Sequence, residues 1–243
     1  MEKVVYTLTH QPGVTTDEMR DRLCGEVTGR LLDAGVHGVQ VNVADAAVAP
    51  AAGLRITTSE RPADAVVSVW VDSATIRFRR PVDDAIATVA DAAAAYLVTE
   101  STPLPNTRFP AEPGARSTGF AQLAFLRRRE DLPETEWLDI WLNDHTGVAL
   151  DTQSTFLYVQ NVVVRILTAG AAPWDAIVEE AFPADAMTDP HAFFDAVGDD
   201  ERLDRHRQRM LHSVGRFVDL ASIEVIPTSR YVMRPVPGAE ASA

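Results

Sequence analysis

The first half of the chain alternates strand-like and helix-like hydrophobic patterns. Residues 16–33 carry apolar side chains at four-residue steps from Met19 to Leu31, which predicts a helix with one buried face. Thr15 and Glu18 have the spacing of a capping box and mark the beginning of that helix. Runs that alternate between apolar and polar residues, or that are rich in β-branched residues, predict four strands. A second helix is predicted between the third and the fourth strand. The predicted strands are residues 4–8, 38–43, 65–71 and 96–104, and the second helix is 82–95.

The second half repeats this succession after a proline-rich segment. Residues 105–118 contain three prolines and few apolar side chains, so we expect an exposed connector. A strand, a helix, two strands, a helical region broken near Gly198 and a final strand then follow. These strands are predicted at 121–126, 156–167, 176–182 and 222–232, with the first helix at 133–151. The expected organisation is a first repeat at 1–104, a linker at 105–118, a second repeat at 119–233 and a flexible tail at 234–243.

Both halves therefore have the order β-α-β-β-α-β, which is the order of a ferredoxin-like unit. Moving the first half forward by about 118 positions superposes the helix stripes, and an internal duplication would explain this. The superposed pairs are Met19 with Trp137, Leu23 with Trp141, Val27 with His145, and Leu31 with Ala149. Each four-stranded sheet has one face covered by helices and one bare face, and two bare faces can bury each other. We predict an α+β fold in which two fused units pack sheet to sheet as an intrachain pseudo-dimeric α/β barrel.

Composition and charge argue against some classes of function. The 243 residues carry a formal net charge of −13, which argues against a nucleic-acid surface, because phosphate binding requires clustered Lys and Arg. No apolar run is long enough to span a bilayer, so we expect no membrane partner. Cys24 is the only cysteine, and the N-terminus lacks the features of a signal peptide, so we expect a cytoplasmic protein. Fusion of two units makes a monomer or a homodimer the expected assembly.

His145 is the first candidate for chemistry, because it occupies a place in the apolar stripe of helix 133–151 and therefore points inward. An imidazole with a pKa near 6.5 can exchange protons at neutral pH. The alternative is a core histidine that donates one N–H to a backbone carbonyl.

Polar side chains on the following strand are the second set of candidates. Tyr158, Gln160, Asn161 and Arg165 lie among apolar neighbours, where each needs a partner or a ligand. Tyr158, Gln160 and Asn161 can donate hydrogen bonds to a developing oxyanion, or they can be interface polar groups. Because side chains alternate along a strand, Gln160 and Asn161 cannot both face the cavity of His145 unless a bulge intervenes.

Glu179 and Glu180 fall inside the predicted strand 176–182, so one of them must point away from solvent if both faces are covered. That carboxyl group is either a base with a raised pKa or the partner of Arg165, and we favour the ion pair.

Metal and nucleotide sites are not predicted. The five other histidines, His10, His37, His191, His206 and His212, lack the spacings of metal ligands. No glycine-rich phosphate-binding loop or nucleophile elbow occurs, so we expect no cofactor, although haem binding through His145 stays open.

The segment TEWLDIWLNDHTGVAL, residues 135–150, together with the repeated layout, resembles the EthD-like family of the dimeric α/β-barrel superfamily over the whole chain. Trp137, Ile140, Trp141 and His145 stand at the positions of the family's helix motif. The chain differs from members with paired histidines, because Asp144 precedes His145 and Val27 replaces the histidine in the first half.

The resemblance implies a barrel with a cleft between sheet and helices for a small, often apolar or aromatic molecule. The family is commonly grouped with oxidoreductases, and its sister families include polyketide cyclases, cofactor-free monooxygenases and haem-degrading enzymes. Our leading hypothesis is a cofactor-independent oxidoreductase or cyclase/dehydratase that acts on a small apolar or aromatic carbonyl compound. The alternative is a non-catalytic barrel that binds a ligand or partner and is accessory to an oxidative degradation system.

In the enzyme hypothesis, His145 is the general acid/base, and Tyr158 and Asn161 orient the substrate oxygen. The expected substrate-binding residues are Trp141, Gln160, Glu179 and Arg165.

Overall fold

The eight strands of the computed structural model, which describes residues 1–237, close into one barrel. The strands are β1 (Glu2–His10), β2 (Gly38–Val43), β3 (Ala65–Val71), β4 (Ala90–Leu104), β5 (Phe120–Leu126), β6 (Leu157–Ile166), β7 (Ala176–Phe182) and β8 (Glu224–Arg234). The helices are α1 (16–33), α2 (Ile76–Ala87), α3 (134–152), α4 (Pro190–Phe193) and α5 (Asp200–Gly215), with 3-10 turns at Ala46–Leu54 and Ala184–Met187.

The strand order around the barrel is β1-β3-β2-β8-β5-β7-β6-β4, and every neighbouring pair is antiparallel. Each half contributes four consecutive strands in the order of a ferredoxin-like sheet, β4-β1-β3-β2 and β8-β5-β7-β6. The predicted fold of two fused units that form an α/β barrel within one chain is confirmed. The two sheets also hydrogen-bond edge to edge, through β2 with β8 and β4 with β6, so the barrel has no free edge.

The first helix of each half has the same irregularity. A π-helical turn interrupts α1 at Leu23–Val27 and α3 at Ile140–His145. After each turn a threonine hydroxyl donates to the carbonyl oxygen five residues earlier, from Thr28 over 2.7 Å and from Thr146 over 3.0 Å. These features occupy positions that the shift of about 118 residues superposes. At the beginning of α1 the predicted capping box is present, with Thr15 and Glu18 bonding each other's backbone N–H.

One predicted element is wrong. Residues 82–95 were expected to form a helix, but α2 spans Ile76–Ala87 and β4 begins at Ala90. The alanine-rich run 90–95 has high intrinsic helix propensity, but its alanines pair with β1 in the barrel wall. Tertiary pairing overrides local propensity in this segment. The predicted loop 44–63 also contains the 3-10 turn Ala46–Leu54.

The connector contacts the last strand, and that strand extends beyond its predicted end. Residues 105–118 are mostly exposed and run beside β8, where the N–H groups of Gly114 and Ser117 donate to β8 carbonyls over 2.8 Å each. Of the predicted tail, Arg234 still belongs to β8, and residues 238–243 lie outside the described part of the chain. Within residues 1–237, no helix combines the length and the apolar character needed to cross a membrane.

Closure of the barrel buries both faces of its strands. Val5, Val66 and Ile177 belong to an apolar cluster inside the barrel. The alternating residues face outward and pack under the helices, as do Val39 and Val41 in the first half and Tyr158 and Val178 in the second. A candidate site can therefore lie inside the barrel or between a sheet and its helices.

Gly119, directly before β5, provides a test of the packing at the junction of the two halves. Its φ is +69°, and a Cβ atom built there would lie 1.8 Å from the carbonyl oxygen of Phe182. We expect Gly119→Ala to destabilise the fold by more than the roughly 1–2 kcal/mol that left-handed backbone alone costs an L-residue. Denaturant unfolding monitored by circular dichroism measures the change.

The matched control is Gly147→Ala, at an exposed helical position where an added Cβ meets nothing within 4 Å. It should stabilise the protein by about 0.5–1 kcal/mol, because alanine suits a helix better than glycine. Equal unfolding midpoints for the two variants would contradict the close approach of β5 and β7.

Candidate functional site

The two helix–sheet layers have the same architecture but different chemistry. In the first half, Val39 on β2 pairs with Val69 on β3. In the second half, the equivalent pair is Tyr158 on β6 with Glu180 on β7. In the same alignment Val41 corresponds to Gln160. The first layer is aliphatic at these positions, and each of its valines is 0% exposed. The second layer therefore places a phenol, an amide and a carboxyl group where the first has three valines.

These polar groups surround the π-helical turn of α3. Trp137 and Trp141 project from α3 onto the sheet with ring centroids 5.3 Å apart, and both indole Nε1 atoms are buried without a hydrogen-bond partner among residues 1–237. Gln160 Nε2 donates to Thr146 Oγ1 over 2.6 Å, and that hydroxyl donates to the Trp141 carbonyl. Strand and helix are thus held together, and Trp141 also lies close enough to the Tyr158 hydroxyl to lower the pKa of that phenol, against the larger effect of burial. We call this group the tryptophan layer; its members are Trp137, Trp141, Thr146, Tyr158, Gln160 and Glu180.

Glu180 is the unusual member of the tryptophan layer. It is 8% exposed, and its Oε1 atom is buried with no hydrogen-bond partner in the described chain. Burial raises the pKa of Glu180 to about 8. Burial, and next the charge of Glu180, also raise the pKa of Tyr158, which keeps the phenol protonated as a donor. A carboxyl group with a pKa close to the working pH can both accept and return a proton.

The sheet surface beside this carboxyl group is incompletely covered. Gln122 lies beside Glu180 in the register of β5 and β7, on the helix-covered face. Gln122 and its neighbour on that face, Ala124, are only half-buried although β5 is a central strand. The corresponding residues of β1, Val4 and Tyr6, are 0% and 2% exposed. The helices therefore cover this part of the second sheet, which includes the neighbour of Glu180, less completely than the equivalent part of the first.

His145 lies on the α5 side of α3. Its Nδ1 is 2.9 Å from Ser213 Oγ, and its ring centroid is 4.8 Å from that of Phe217. Burial, followed by the positive charge of Arg216, lowers the pKa of His145 to about 4. The imidazole is therefore neutral at pH 7 and a weak base, with one nitrogen engaged by Ser213.

Glu179 faces the opposite way, into the barrel, and it is fully paired. Arg230 Nε, Gln40 Nε2 and Asn42 Nδ2 each lie 2.9–3.0 Å from its carboxylate oxygens. Burial alone would raise the pKa of Glu179, but the charge of Arg230 and the hydrogen bond from Gln40 outweigh it, and the pKa is lowered. The expected ion pair of a buried glutamate exists, but its partner is Arg230.

The structure separates the predicted site residues into three places. Trp141, Tyr158 and Gln160 lie together in the tryptophan layer, and His145 lies at its α5 side. Arg165 is exposed near the end of β6, so its expected place beside a buried glutamate is wrong. Asn161 points into the barrel and donates to the Ile177 carbonyl over 2.9 Å, so its expected placement beside Tyr158 is also wrong. Strand alternation explains that error, because residues 158 and 161 lie on opposite faces.

Sequence reasoning missed Gln122 and Arg230. Gln122 is a single polar residue in an apolar strand, and only its register with Glu180 gives it significance. Arg230 lies in β8, about 50 positions from Glu179, and the pairing of β5 with both β7 and β8 brings the two strands together. Across residues 1–237, no three or more His, Cys, Asp and Glu side chains are grouped to hold a metal ion.

An apolar cavity of about 530 Å³ lies beside the short helix α4. Its walls include Leu54, Met187, Phe193 and Phe194. The Phe193 ring stacks on Phe182 with centroids 4.5 Å apart, and Phe182 follows Glu180 by two residues on the same face of β7. Phe194 contacts both the cluster around this cavity and the cluster that contains Trp137 and Trp141.

Comparisons with known proteins show the fold. No family model and no curated protein matches the chain. An anthrone oxidase-like protein of known structure is 11% identical, with a TM-score of 0.52 over 98% of this chain and 95% of that one. Inferred monooxygenases from Fusobacterium nucleatum and Lactobacillus acidophilus align at TM-scores of 0.48 and 0.45, with 10% and 8% identity; both cover 96% of this chain, and 92% and 96% of their own lengths. At this level of identity the similarity to the anthrone oxidase-like protein shows a shared fold and no more, the eight-stranded α/β barrel described above.

The raised pKa of Glu180 predicts a pH-dependent stability. The folded state keeps a proton on Glu180 that the unfolded chain releases near pH 4.5. The stabilisation of the folded state by this proton is therefore lost as the pH rises through about 8. Glu180→Gln removes the titration. Between pH 4.5 and about pH 8, the free energy of unfolding of the variant minus that of wild type should therefore increase by about 1.4 kcal/mol per pH unit. Urea unfolding from pH 4 to 9 measures both proteins, and parallel stability curves would contradict a protonated Glu180.

The contact of His145 with Ser213 predicts a structural cost for its removal. His145→Leu leaves the buried Ser213 hydroxyl without its partner, so we expect a loss of about 1–3 kcal/mol. The double variant with Ser213→Ala should recover part of this loss. If His145→Leu instead melts at the wild-type temperature or above, the imidazole is not needed for stability, and its predicted catalytic role gains support.

Proposed function

We propose that this protein is a small-molecule enzyme whose substrate lies in the tryptophan layer, where Glu180 removes a proton from an aromatic carbonyl compound. The observation that carries the proposal is the buried Glu180 carboxyl group, which has an oxygen without a partner among residues 1–237 and lies beside the partly exposed Gln122. Burying an unpaired polar group costs roughly 1–3 kcal/mol, and a fold can recover this cost when the group binds or transforms a ligand. The valine at the equivalent position of the first half carries no such cost.

The surroundings of Glu180 suit a flat aromatic substrate. Trp137 and Trp141 provide two indole rings for stacking, and their Nε1 atoms together with the Tyr158 hydroxyl provide donors for a substrate oxygen. Negative charge that develops on a carbonyl oxygen during proton removal would be stabilised by these donors. Gln160 and Thr146 hold α3 against β6 and so act as positioning residues.

The apolar cavity is proposed as the entrance. A volume of about 530 Å³ lies within the range of roughly 300–1,000 Å³ that is usual for small-molecule sites. A substrate would reach Glu180 by displacement of Phe193 and Phe194, which lie on and just after the short helix α4. Arg207 and Asp189 give the cavity a polar rim.

The reaction that we propose is a cofactor-independent oxidation by dioxygen. An anthrone has a CH₂ group between two aryl rings opposite a carbonyl, so loss of a proton gives a stabilised enolate. Dioxygen accepts electrons from that carbon, a C–O bond forms, and protonation gives a hydroperoxide. Cleavage of the O–O bond with loss of the remaining hydrogen releases water and leaves a ketone, so R₂CH₂ and O₂ give R₂CO and H₂O. The name of the anthrone oxidase-like structural neighbour suggests this substrate class.

His145 keeps a supporting role in this proposal. With a pKa of about 4 and a contact to Ser213, it orients α3 against α5 and does not serve as the main base. Membership of the EthD-like family, an internal duplication and a cytoplasmic location are parts of the same proposal, and the helix motif at residues 135–150 and the repeated π-helical turns support the first two.

The test uses anthrone under two atmospheres. In air, wild type should consume dioxygen and form anthraquinone faster than the uncatalysed reaction, with kcat/KM rising up to about pH 8 because the carboxylate form is the base. Under nitrogen in D₂O, it should exchange the CH₂ hydrogens of anthrone. Glu180→Gln should lower both rates by roughly 10²-fold or more, since general-base catalysis contributes 10²–10⁴-fold.

Glu136→Gln is the matched control, because Glu136 is exposed on α3 and its loss changes the net charge equally. Its rates should equal those of wild type. Exchange without oxidation would keep Glu180 as the base but refute the dioxygen step. Saturable anthrone binding without exchange would refute the enzyme and favour the non-catalytic ligand-binding barrel.

A further inference from the structure

A second cavity, of about 280 Å³, lies at one mouth of the barrel. It is formed where β1 ends and β4 and β8 begin, and the loops 55–64 and 167–175 contribute to its walls. The wall residues Phe125 and Tyr96 belong to the cluster inside the barrel, whereas Glu180 faces the helices. This mouth cavity is therefore separate from the tryptophan layer and from its apolar entrance.

Three aromatic side chains form one wall of the mouth cavity. Tyr96 and Phe125 are each 1% exposed, and Trp174 is 9% exposed. The Phe125 and Trp174 ring centroids are 5.7 Å apart with their planes tilted by 45°. Tyr96 is fixed by a 3.0 Å hydrogen bond from its hydroxyl to the Ala172 carbonyl oxygen. These three rings give one side of the cavity an aromatic lining.

A nearly buried carboxylate completes the mouth cavity. Glu224 is 4% exposed, and its Oε1 accepts from the Ser59 N–H over 2.7 Å and lies 3.5 Å from Thr58 Oγ1. In the described chain, no donor reaches its Oε2 and no cationic side chain pairs with it. Glu224 lies close enough to Tyr96 that its charge adds to the effect of burial in raising the pKa of that phenol to about 12. Arg61 also lines the cavity, but it is 62% exposed and pairs with Asp91.

We propose that the mouth cavity binds a small organic ammonium ion, with Glu224 Oε2 as the counter-charge and Tyr96, Phe125 and Trp174 as the aromatic wall. A cation over aromatic faces is attracted by their quadrupoles, and this attraction strengthens when the site excludes water. An anion would be repelled by Glu224, and a neutral ligand would leave the carboxylate unpaired. A divalent metal needs several oxygen ligands, whereas this site offers one carboxylate. The proposal does not depend on the activity proposed for Glu180.

Titration calorimetry of the full chain with choline tests the proposal, with 3,3-dimethylbutan-1-ol as the neutral analogue of the same shape. We expect saturable binding of choline accompanied by a change in tryptophan fluorescence, and binding of the neutral alcohol at least tenfold weaker. This comparison uses wild type only, so it does not depend on the folding of a variant. Equal affinity for the two compounds, or no choline binding at millimolar concentration, would overturn the proposal.

Two variants locate the site. Glu224→Gln keeps an oxygen for the Ser59 N–H but removes the charge, so choline affinity should fall at least tenfold. Glu60→Gln removes one charge from the exposed neighbouring position of the same loop, so its affinity should stay within twofold of wild type. An equal loss of choline affinity in both variants would mean that binding depends on the overall charge. Unchanged choline affinity in Glu224→Gln would mean that choline binds elsewhere. Either result refutes the assignment.

Discussion

Closure of the sheet buries both faces of the barrel strands, and the rest of the structure depends on this constraint. In an open two-layer unit, each strand would have a helix-covered face and a bare one. Hydrogen bonding of β2 to β8 and of β4 to β6 converts the two bare faces into one interior. Adjacent polar residues on one strand must then find partners in two different environments. β7 shows the consequence, because Glu179 is paired inside the barrel and Glu180 is unpaired under the helices.

The two halves share one scaffold, but only the second carries the polar groups of the tryptophan layer between its helices and its sheet. The helix order, the π-helical turn and the threonine that follows it recur, so the backbone requirements of the layer are met twice. The first half fills the layer with aliphatic side chains that need no partner. The second half fills it with groups that do, and several of their polar atoms have none in the described chain. The fold does not require those groups, and the ligand proposed above would supply partners for them.

Much of the fold could be predicted from the sequence, because periodicity reports burial directly. The order of elements in both halves, the helix at 16–33 and the break at Gly198 followed from apolar spacing and caps. The alanine-rich run 90–95 could not be assigned in this way, since alanine has weak strand preference and its state depends on pairing with β1. The site was predictable only in part. The sequence marks Trp141, Tyr158 and the glutamate pair, but the face and partner of each depend on contacts between residues far apart in the chain.

Three buried carboxyl groups show how one protein handles the same electrostatic problem in different ways. A carboxylate removed from water must be paired, protonated or left with an incomplete set of partners. Glu179 is paired, and Arg230 with the two amides leaves it little freedom to bind anything else. Glu180 has its pKa raised to about 8, so it holds a proton that can be exchanged. Glu224 receives a backbone N–H on one oxygen, and its side chain lines an aromatic-walled cavity. The arrangement of Glu180 suits proton transfer, and that of Glu224 suits cation binding. Both proposed sites therefore follow from the cost of removing a carboxylate from water, met in two different environments.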